Sequence, residues 1–160
     1  MNARDAIQYL LNSNQHMLKS FLSDFSDADL LARPAPNANH AAWQLGHLIT
    51  SESQLLGMAG ATPTPLPPGF AEKHSKETAS NDTGFLTKAE YMEVLDKVRA
   101  GTQAVLDKLS DADLGKPSTG KMAEWAPTCG SVFLLIANHT MMHAGQFTVV
   151  RRKLGKPVLF

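Results

Sequence analysis

Four stretches of the chain repeat their large apolar residues at steps of three and four positions, which is the period of one face of an α-helix. They cover about residues 3–22, 40–58, 87–109 and 129–153. No stretch alternates apolar and polar residues with a period of two between turn signals, so β-strands are not expected. The pattern predicts an all-α protein with four long helices.

Residues with helix-capping chemistry mark the ends of these predicted helices. Asn39 is a good N-cap for the second helix. Thr87, with Glu90 three positions on, has the pattern of a capping box at the start of the third helix. Thr128 can cap the fourth helix, which Gly155 should end. Local signals as well as the apolar period therefore bound three of the four helices.

A long connection separates the second and third predicted helices. Residues 59–86 carry four prolines, at positions 63, 65, 67 and 68, followed by a polar run without a helical period. A connection of this length is uncommon inside a compact domain. We expect it to cross from one end of a helical bundle to the other, with a lid over a site as the alternative.

The short sequence Ser-Asp-Ala-Asp-Leu occurs twice, at 26–30 and at 110–114. Each copy follows the end of a predicted helix and precedes a segment that contains a tryptophan. The repetition indicates two related halves, each made of a helix, a linker and a helix. Since 160 residues is also the usual size of one domain, we expect a single domain, 1–160, with its own core.

Composition limits the classes of partner. Lys and Arg together number 15, as do Asp and Glu, so the formal net charge is zero and no overall field attracts nucleic acid or an anionic membrane. Cys129 is the only cysteine, which excludes an internal disulfide and suits a reducing compartment. The sequence shows neither a secretory signal pattern nor an apolar run of membrane-spanning length. We therefore expect a cytoplasmic protein that acts on a small molecule.

Two histidines of the fourth helix fall on its apolar stripe. His139 and His143 are four positions apart, hence about 6 Å apart along the axis and only about 40° around it. His47 has the same inward orientation in the second helix, beside Gly46, which leaves room for a close neighbour. Three neutral imidazoles suit zinc, nickel or ferrous iron. The alternative is core histidines paired with backbone carbonyls, but two unpaired rings on one stripe would be costly to bury, which favours a metal.

Several other enzyme classes lack a key residue in this sequence. Thr140 stands where a zinc protease of the His-Glu-x-x-His type has its catalytic glutamate. The predicted helices carry no Glu-x-x-His pair of a di-iron centre, and the chain has no phosphate-binding loop or nucleophile-elbow serine. We expect Cys129 to be an inert, small hydrophobic residue.

Most of the remaining reactive side chains are expected away from the site. We predict surface or loop positions for His16, His40 and His74, of which only His40 could reach a pocket rim. Gln146 either holds a metal-bound water or makes a hydrogen bond between helices. Glu52 can act as an acid or base only if its side chain points inward.

The C-terminal run from His139 to Pro157 resembles the signature of the DinB-like, or DinB/YfiT, family of metalloenzymes. It reads His-x-x-x-His-x-Gly-Gln, followed by an Arg-containing turn and Gly-x-Pro. Residues 42–48, which include His47, are similar to the family's other histidine motif, and the likeness extends over essentially the whole chain. The resemblance implies a four-helix up-down-down-up bundle with a divalent metal on His47, His139 and His143.

The resemblance also implies an activity. Family members with an assigned activity include transferases that use a low-molecular-weight thiol such as bacillithiol, and mycothiol-dependent isomerases. The resemblance thus implies a thiol S-transferase that acts on small electrophiles and uses zinc or nickel and a low-molecular-weight thiol. The alternatives are a metal-dependent hydrolase and a non-catalytic bundle that binds a metal or a small ligand. We expect an apolar pocket walled by Trp43 and Met142 and covered by residues 59–86. Because paired helices often associate through exposed apolar faces, a homodimer is one assembly to consider.

Overall fold

The computed structural model describes residues 1–159, which contain seven α-helices and no β-strand. The all-α prediction is therefore confirmed. Among residues 1–159, none of the helices combines the length and the apolar character that crossing a membrane requires. The four long helices are α1 (Ala3–Leu22), α3 (Ala41–Met58), α5 (Lys88–Leu106) and α7 (Cys129–Lys153), and the one-turn helices are α2 (Asp27–Leu30), α4 (Phe70–Lys73) and α6 (Asp111–Leu114).

The helix ends follow the predicted capping chemistry with two differences. Thr87 forms the predicted capping box, and Thr128 is the predicted N-cap of α7, where it also forms a capping box, with Ser131. The N-cap of α3 is His40 and not Asn39, because the His40 ring nitrogen Nδ1 accepts from the Trp43 amide at 3.1 Å. Helix α5 ends at Leu106, three residues before the predicted boundary.

The repeated pentapeptide forms the same local structure in both halves. Ser26 caps α2 and Ser110 caps α6, and in each case the serine and the aspartate three positions on make a capping box. These reciprocal hydrogen bonds satisfy amide groups that a short helix would otherwise leave unpaired. The sequence repeat is therefore also a structural repeat.

The long helices meet around two clusters of buried side chains. Helix α7 packs against α1 and α3, and α5 packs against α3 and α1. The start of α1 lies beside the end of α5, since Arg4 donates to the carbonyl of Leu109 at 3.4 Å. The start of α5 lies beside the end of α1, since Lys88 donates to the carbonyl of Phe25 at 2.6 Å. The largest hydrophobic side chains that are less than 2% exposed are those of Tyr91, Phe25, Phe133 and Phe147.

The connection between α3 and α5 is more ordered than the sequence suggests. It contains α4 and the 3-10 turn Lys76–Thr78, and it returns along α3, where Ser75 accepts a hydrogen bond from the Trp43 indole at 2.9 Å. His74 and His40 lie outside the helices, as the predicted loop positions require, but they are 2% and 0% exposed, so neither lies on the surface. The buried His74 ring is hydrogen-bonded through both nitrogens, to the carbonyl of Phe70 one turn earlier and to the hydroxyl of Tyr91 in α5.

Candidate metal centre

The three histidines singled out in the sequence lie together between α3 and α7. One ring nitrogen from each of His47, His139 and His143 lies within 4.8 Å of the other two. The two Nε2 atoms of His139 and His143 are 3.1 Å apart, as the four-residue spacing on one helix allows. Nitrogens at these separations are close enough to bind one metal ion.

His47 is held in its orientation by Trp43, one turn earlier on α3. The two rings are stacked, with centroids 5.0 Å apart and an angle of 6° between their planes. Trp43 is 5% exposed and its indole N–H donates to the Ser75 carbonyl, which anchors it to the connection between α3 and α5. The stacking limits the motion of the His47 ring about its own side-chain bonds.

His143 has a defined tautomer, set by Gln44. The Gln44 amide N–H donates to the Asn39 carbonyl at 2.7 Å, so its Oε1 atom is left to accept from His143 Nδ1 at 2.9 Å. With the proton on Nδ1, Nε2 carries the lone pair and faces His139. Metal-binding histidines commonly have such an outer partner. The candidate residues predicted from the sequence do not include Gln44, although it stands three positions before His47 within residues 42–48.

The local electrostatics keep the three rings neutral. Burial first, and the neighbouring imidazoles second, lower the pKa of His139 to about 4 and that of His143 to about 3. Burial and then the charge of Lys76 lower the pKa of His47. Neutral imidazole is the form that binds metals, and three nitrogen donors with no carboxylate suit a divalent transition ion. The residues present therefore fit the metal that the resemblance implies.

A groove opens on one side of the three histidines. Its volume is about 290 Å³ and its walls include His47 and His139. The prediction that Trp43 and Met142 wall the pocket is wrong, because Trp43 is buried beneath His47 and Met142 is 56% exposed on the outside of α7. Residues 59–86 do not line the groove either; Met122, from the segment before α7, does so.

The other candidate residues lie outside the groove. Glu52 does point inward, but both its carboxylate oxygens accept hydrogen bonds from Arg99. Gln146 is exposed, and its side chain makes no hydrogen bond within the described chain. His16 is exposed, as predicted. Cys129 is buried and burial raises the pKa of its thiol, which agrees with an inert residue.

The lowered histidine pKa values predict acid sensitivity of the metal-free chain. The unfolded state takes up protons near pH 6.5 while the folded rings stay neutral, so stability present above that pH is lost as the pH falls toward the folded values. For His143 alone the loss by pH 4 is on the order of 3 kcal/mol. Urea unfolding with a chelator at pH 7, 5.5 and 4 should show this decline. The decline should be shallower in His143→Asn than in His16→Asn; equal slopes in the two variants would contradict it.

Comparisons with known proteins agree with this fold. A crystal structure of a conserved protein from Enterococcus faecalis is similar to this chain, with a TM-score of 0.75 and 16% identity over 98% of this chain and 99% of that one. No curated protein sequence matches significantly. The sequence model of the DinB superfamily matches residues 10–147, which include all three histidines. The chain therefore belongs to the DinB superfamily.

Proposed function

We propose that this chain is a metal-dependent enzyme that binds zinc or nickel on His47, His139 and His143 and transfers a low-molecular-weight thiol to small electrophiles. The observation that carries the proposal is the convergence of three neutral ring nitrogens within 4.8 Å, with two of the three histidines, His47 and His139, in the wall of a groove. A structural site is normally closed by a fourth protein ligand, whereas catalytic sites keep a position open. The group contains no fourth His, Cys, Asp or Glu among residues 1–159, which favours the enzyme.

The chain's own residues have separable roles in this reaction. A bound divalent metal would lower the pKa of a thiol or of water, and so supply a nucleophile at neutral pH. Gln44 keeps the proton of His143 on Nδ1, so that Nε2 is free as a ligand. Trp43 fixes the plane of His47. The groove then positions the electrophile beside His47 and His139 and reduces its contact with water.

The proposed site also depends on the order of the helices. We propose the up-down-down-up bundle of the family for α1, α3, α5 and α7. Three contacts support it. Arg99 of α5 pairs with Glu52 of α3, Lys88 at the start of α5 lies beside the end of α1, and Arg151 near the end of α7 donates to the Phe21 carbonyl near the end of α1. In this order α3 and α7 run in opposite directions, so that His47 and His143 face each other.

The first test is the metal content of protein purified without a metal-affinity step. Elemental analysis should find close to one transition metal per wild-type chain. His143→Ala should lose nearly all of it, because one of three ligands is removed, while His16→Ala, an exposed histidine, should retain it. Absence of metal from the wild-type chain at micromolar supply would remove the enzyme proposal in favour of a ligand-binding bundle.

The second test separates thiol transfer from hydrolysis. The metal-loaded chain is incubated with bacillithiol, mycothiol or glutathione and a small electrophile such as 1-chloro-2,4-dinitrobenzene. In the expected reaction the thiol sulfur bonds to the ring carbon and chloride leaves, with the thiol proton released to solvent. Turnover that requires the thiol supports the transferase. Hydrolysis of esters or amides without any thiol would favour the hydrolase.

A further inference from the structure

The groove beside the three histidines is built from one face of α3, with a wall opposite. Helix α3 contributes His47, Ser51, Leu55 and Met58, which follow one another at three- and four-residue steps. The opposite wall is apolar, formed by Leu135 and Met122. The groove therefore has a histidine end and a methionine end, joined by a mostly apolar floor.

The polar groups of the groove are neutral and unused. Ser51 and Gln54 line it, and neither side chain makes a hydrogen bond within the part of the chain that the structure describes. Each can therefore donate or accept one hydrogen bond to a polar atom of a ligand. No charged side chain of residues 1–159 lines the groove.

Charged residues line a different cavity. That cavity, of about 310 Å³, is bordered by Arg33, Lys76, Asn37, Asn39, Ala79 and Ser80, and none of the three histidines borders it. Away from the three histidines, an anion in the groove would lose hydration without a counter-charge from the wall, which is costly. The two cavities thus differ in the charge of the molecules that they suit.

The size of the groove limits the ligand further. An engineered apolar cavity of about 150 Å³ holds one benzene molecule, so 290 Å³ suits a two-ring compound. The side chains of Met58 and Met122 are unbranched and flexible, which lets them adjust to ligands of different shape. Apolar walls, neutral polar groups and this volume together describe one class of ligand.

We propose that the groove is the binding site for the electrophilic substrate, and that this substrate is an uncharged, mostly apolar molecule of about two-ring size. The assignment as a substrate site rests on the proposed function, whereas the selectivity of binding does not. The ligand's apolar body would lie between Met58, Met122 and Leu135, with one polar atom near Ser51 or Gln54. Its reactive carbon would face His47 and His139.

The test compares two probes of nearly equal shape, methyl 2-naphthyl sulfone, which is neutral, and 2-naphthalenesulfonate, an anion that coordinates metals poorly. The full chain as purified, with ¹³C-labelled methionine methyl groups, is titrated with each probe and followed by NMR. The sulfone should shift the methyl signals of Met58 and Met122 but not that of exposed Met142. It should also bind at least tenfold more tightly than the sulfonate.

Two lysine variants, one in the groove and one outside it, form a matched pair. Met122→Lys should weaken binding of the sulfone and strengthen that of the sulfonate, whereas Met142→Lys, on the outside of α7, should change neither. Equal or tighter binding of the sulfonate to the wild-type chain, shifts elsewhere in the molecule, or no binding of either probe would overturn the proposal. This readout needs neither metal nor turnover. The absence of metal would therefore contradict the proposed enzyme function, whereas the selectivity of the groove is tested independently by the two probes.

Discussion

Replacing Arg99 by methionine is expected to lower the free energy of unfolding by about 3–5 kcal/mol, the largest loss for any single ion pair of this chain. Arg99 is 1% exposed, and its Nε and Nη2 atoms donate to the two carboxylate oxygens of Glu52 at 2.9 and 2.8 Å. Its remaining hydrogen bonds reach the Leu11 carbonyl and the Thr140 hydroxyl. One guanidinium therefore connects α5 with α1, α3 and α7.

The loss is large because Glu52 would remain buried without its partner. Glu52 is 4% exposed, and an unpaired carboxylate in such surroundings costs far more than an exposed one. Lys97→Met is the matched control. Lys97 lies on the same helix and pairs with Glu93, but both side chains are about two-thirds exposed, so its loss should cost less than about 0.5 kcal/mol. Urea unfolding of the three proteins measures both effects.

A double variant shows whether the unpaired charge is the cause. Glu52→Met combined with Arg99→Met removes both charges and keeps most of the volume, so it should recover at least half of the stability that Arg99→Met loses. A double variant as unstable as the single one would mean that the hydrogen bonds to Leu11 and Thr140, and not the charge of Glu52, dominate. A single variant that loses less than about 1 kcal/mol would contradict the prediction altogether.

The sequence predicts well what depends on neighbours along the chain. The apolar period locates all four long helices, and Thr87 and Thr128 locate the starts of two of them, because a cap depends on residues within one turn. The spacing of His139 and His143 likewise brings their rings together through the geometry of a single helix. The position of His47 beside them follows only from the family resemblance and the packing of α3 on α7.

Several features that the sequence does not predict depend on contacts beyond one helical turn, although the His40 cap of α3, made with Trp43, is local. His74 looks like a polar loop residue until Tyr91 and the Phe70 carbonyl are placed beside it. The expectation that residues 59–86 cover the pocket is wrong for a similar reason. The composition of residues 59–86 cannot show that they pack on the Trp43 side of α3. Nor can it show that Met122, more than 60 positions after the end of α3, lines the groove instead. Burial of a polar group is decided by its partners and not by its own type.

Gly46→Ala is expected to destabilise the chain by roughly 3 kcal/mol, although alanine favours helices. A Cβ atom at position 46 would lie far inside contact distance of the His74 ring. The ring cannot easily move aside, because it is hydrogen-bonded to the Phe70 carbonyl at 2.7 Å and to the Tyr91 hydroxyl at 2.6 Å. Tyr91 is 0% exposed, so moving the ring would leave its buried hydroxyl without the ring nitrogen to which it donates. The sequence suggests that Gly46 makes room for a neighbouring helix or a metal ligand, whereas the side chain that occupies this room is the His74 ring.

The same substitution should weaken metal binding, because Gly46 adjoins both His47 and the segment that anchors Trp43. Displacing His74 moves the next residue, Ser75, whose carbonyl accepts the Trp43 indole hydrogen bond. Trp43 would then no longer hold the plane of His47. Titration of the refolded, metal-free variant with zinc should show at least a tenfold weaker affinity than the wild-type chain, and urea unfolding measures the loss of stability.

Two comparisons separate this collision from a general effect of changing glycine in α3. Gly57 lies on the same helix with no other group within 4 Å of an added Cβ atom, so Gly57→Ala should stabilise the chain by up to about 1 kcal/mol. In a His74→Ala background the space at Gly46 is empty, and Gly46→Ala should there be neutral or stabilising. If Gly46→Ala costs as much without the His74 ring as with it, the ring is not the obstacle, and the close approach of the two residues does not shape this side of the metal centre.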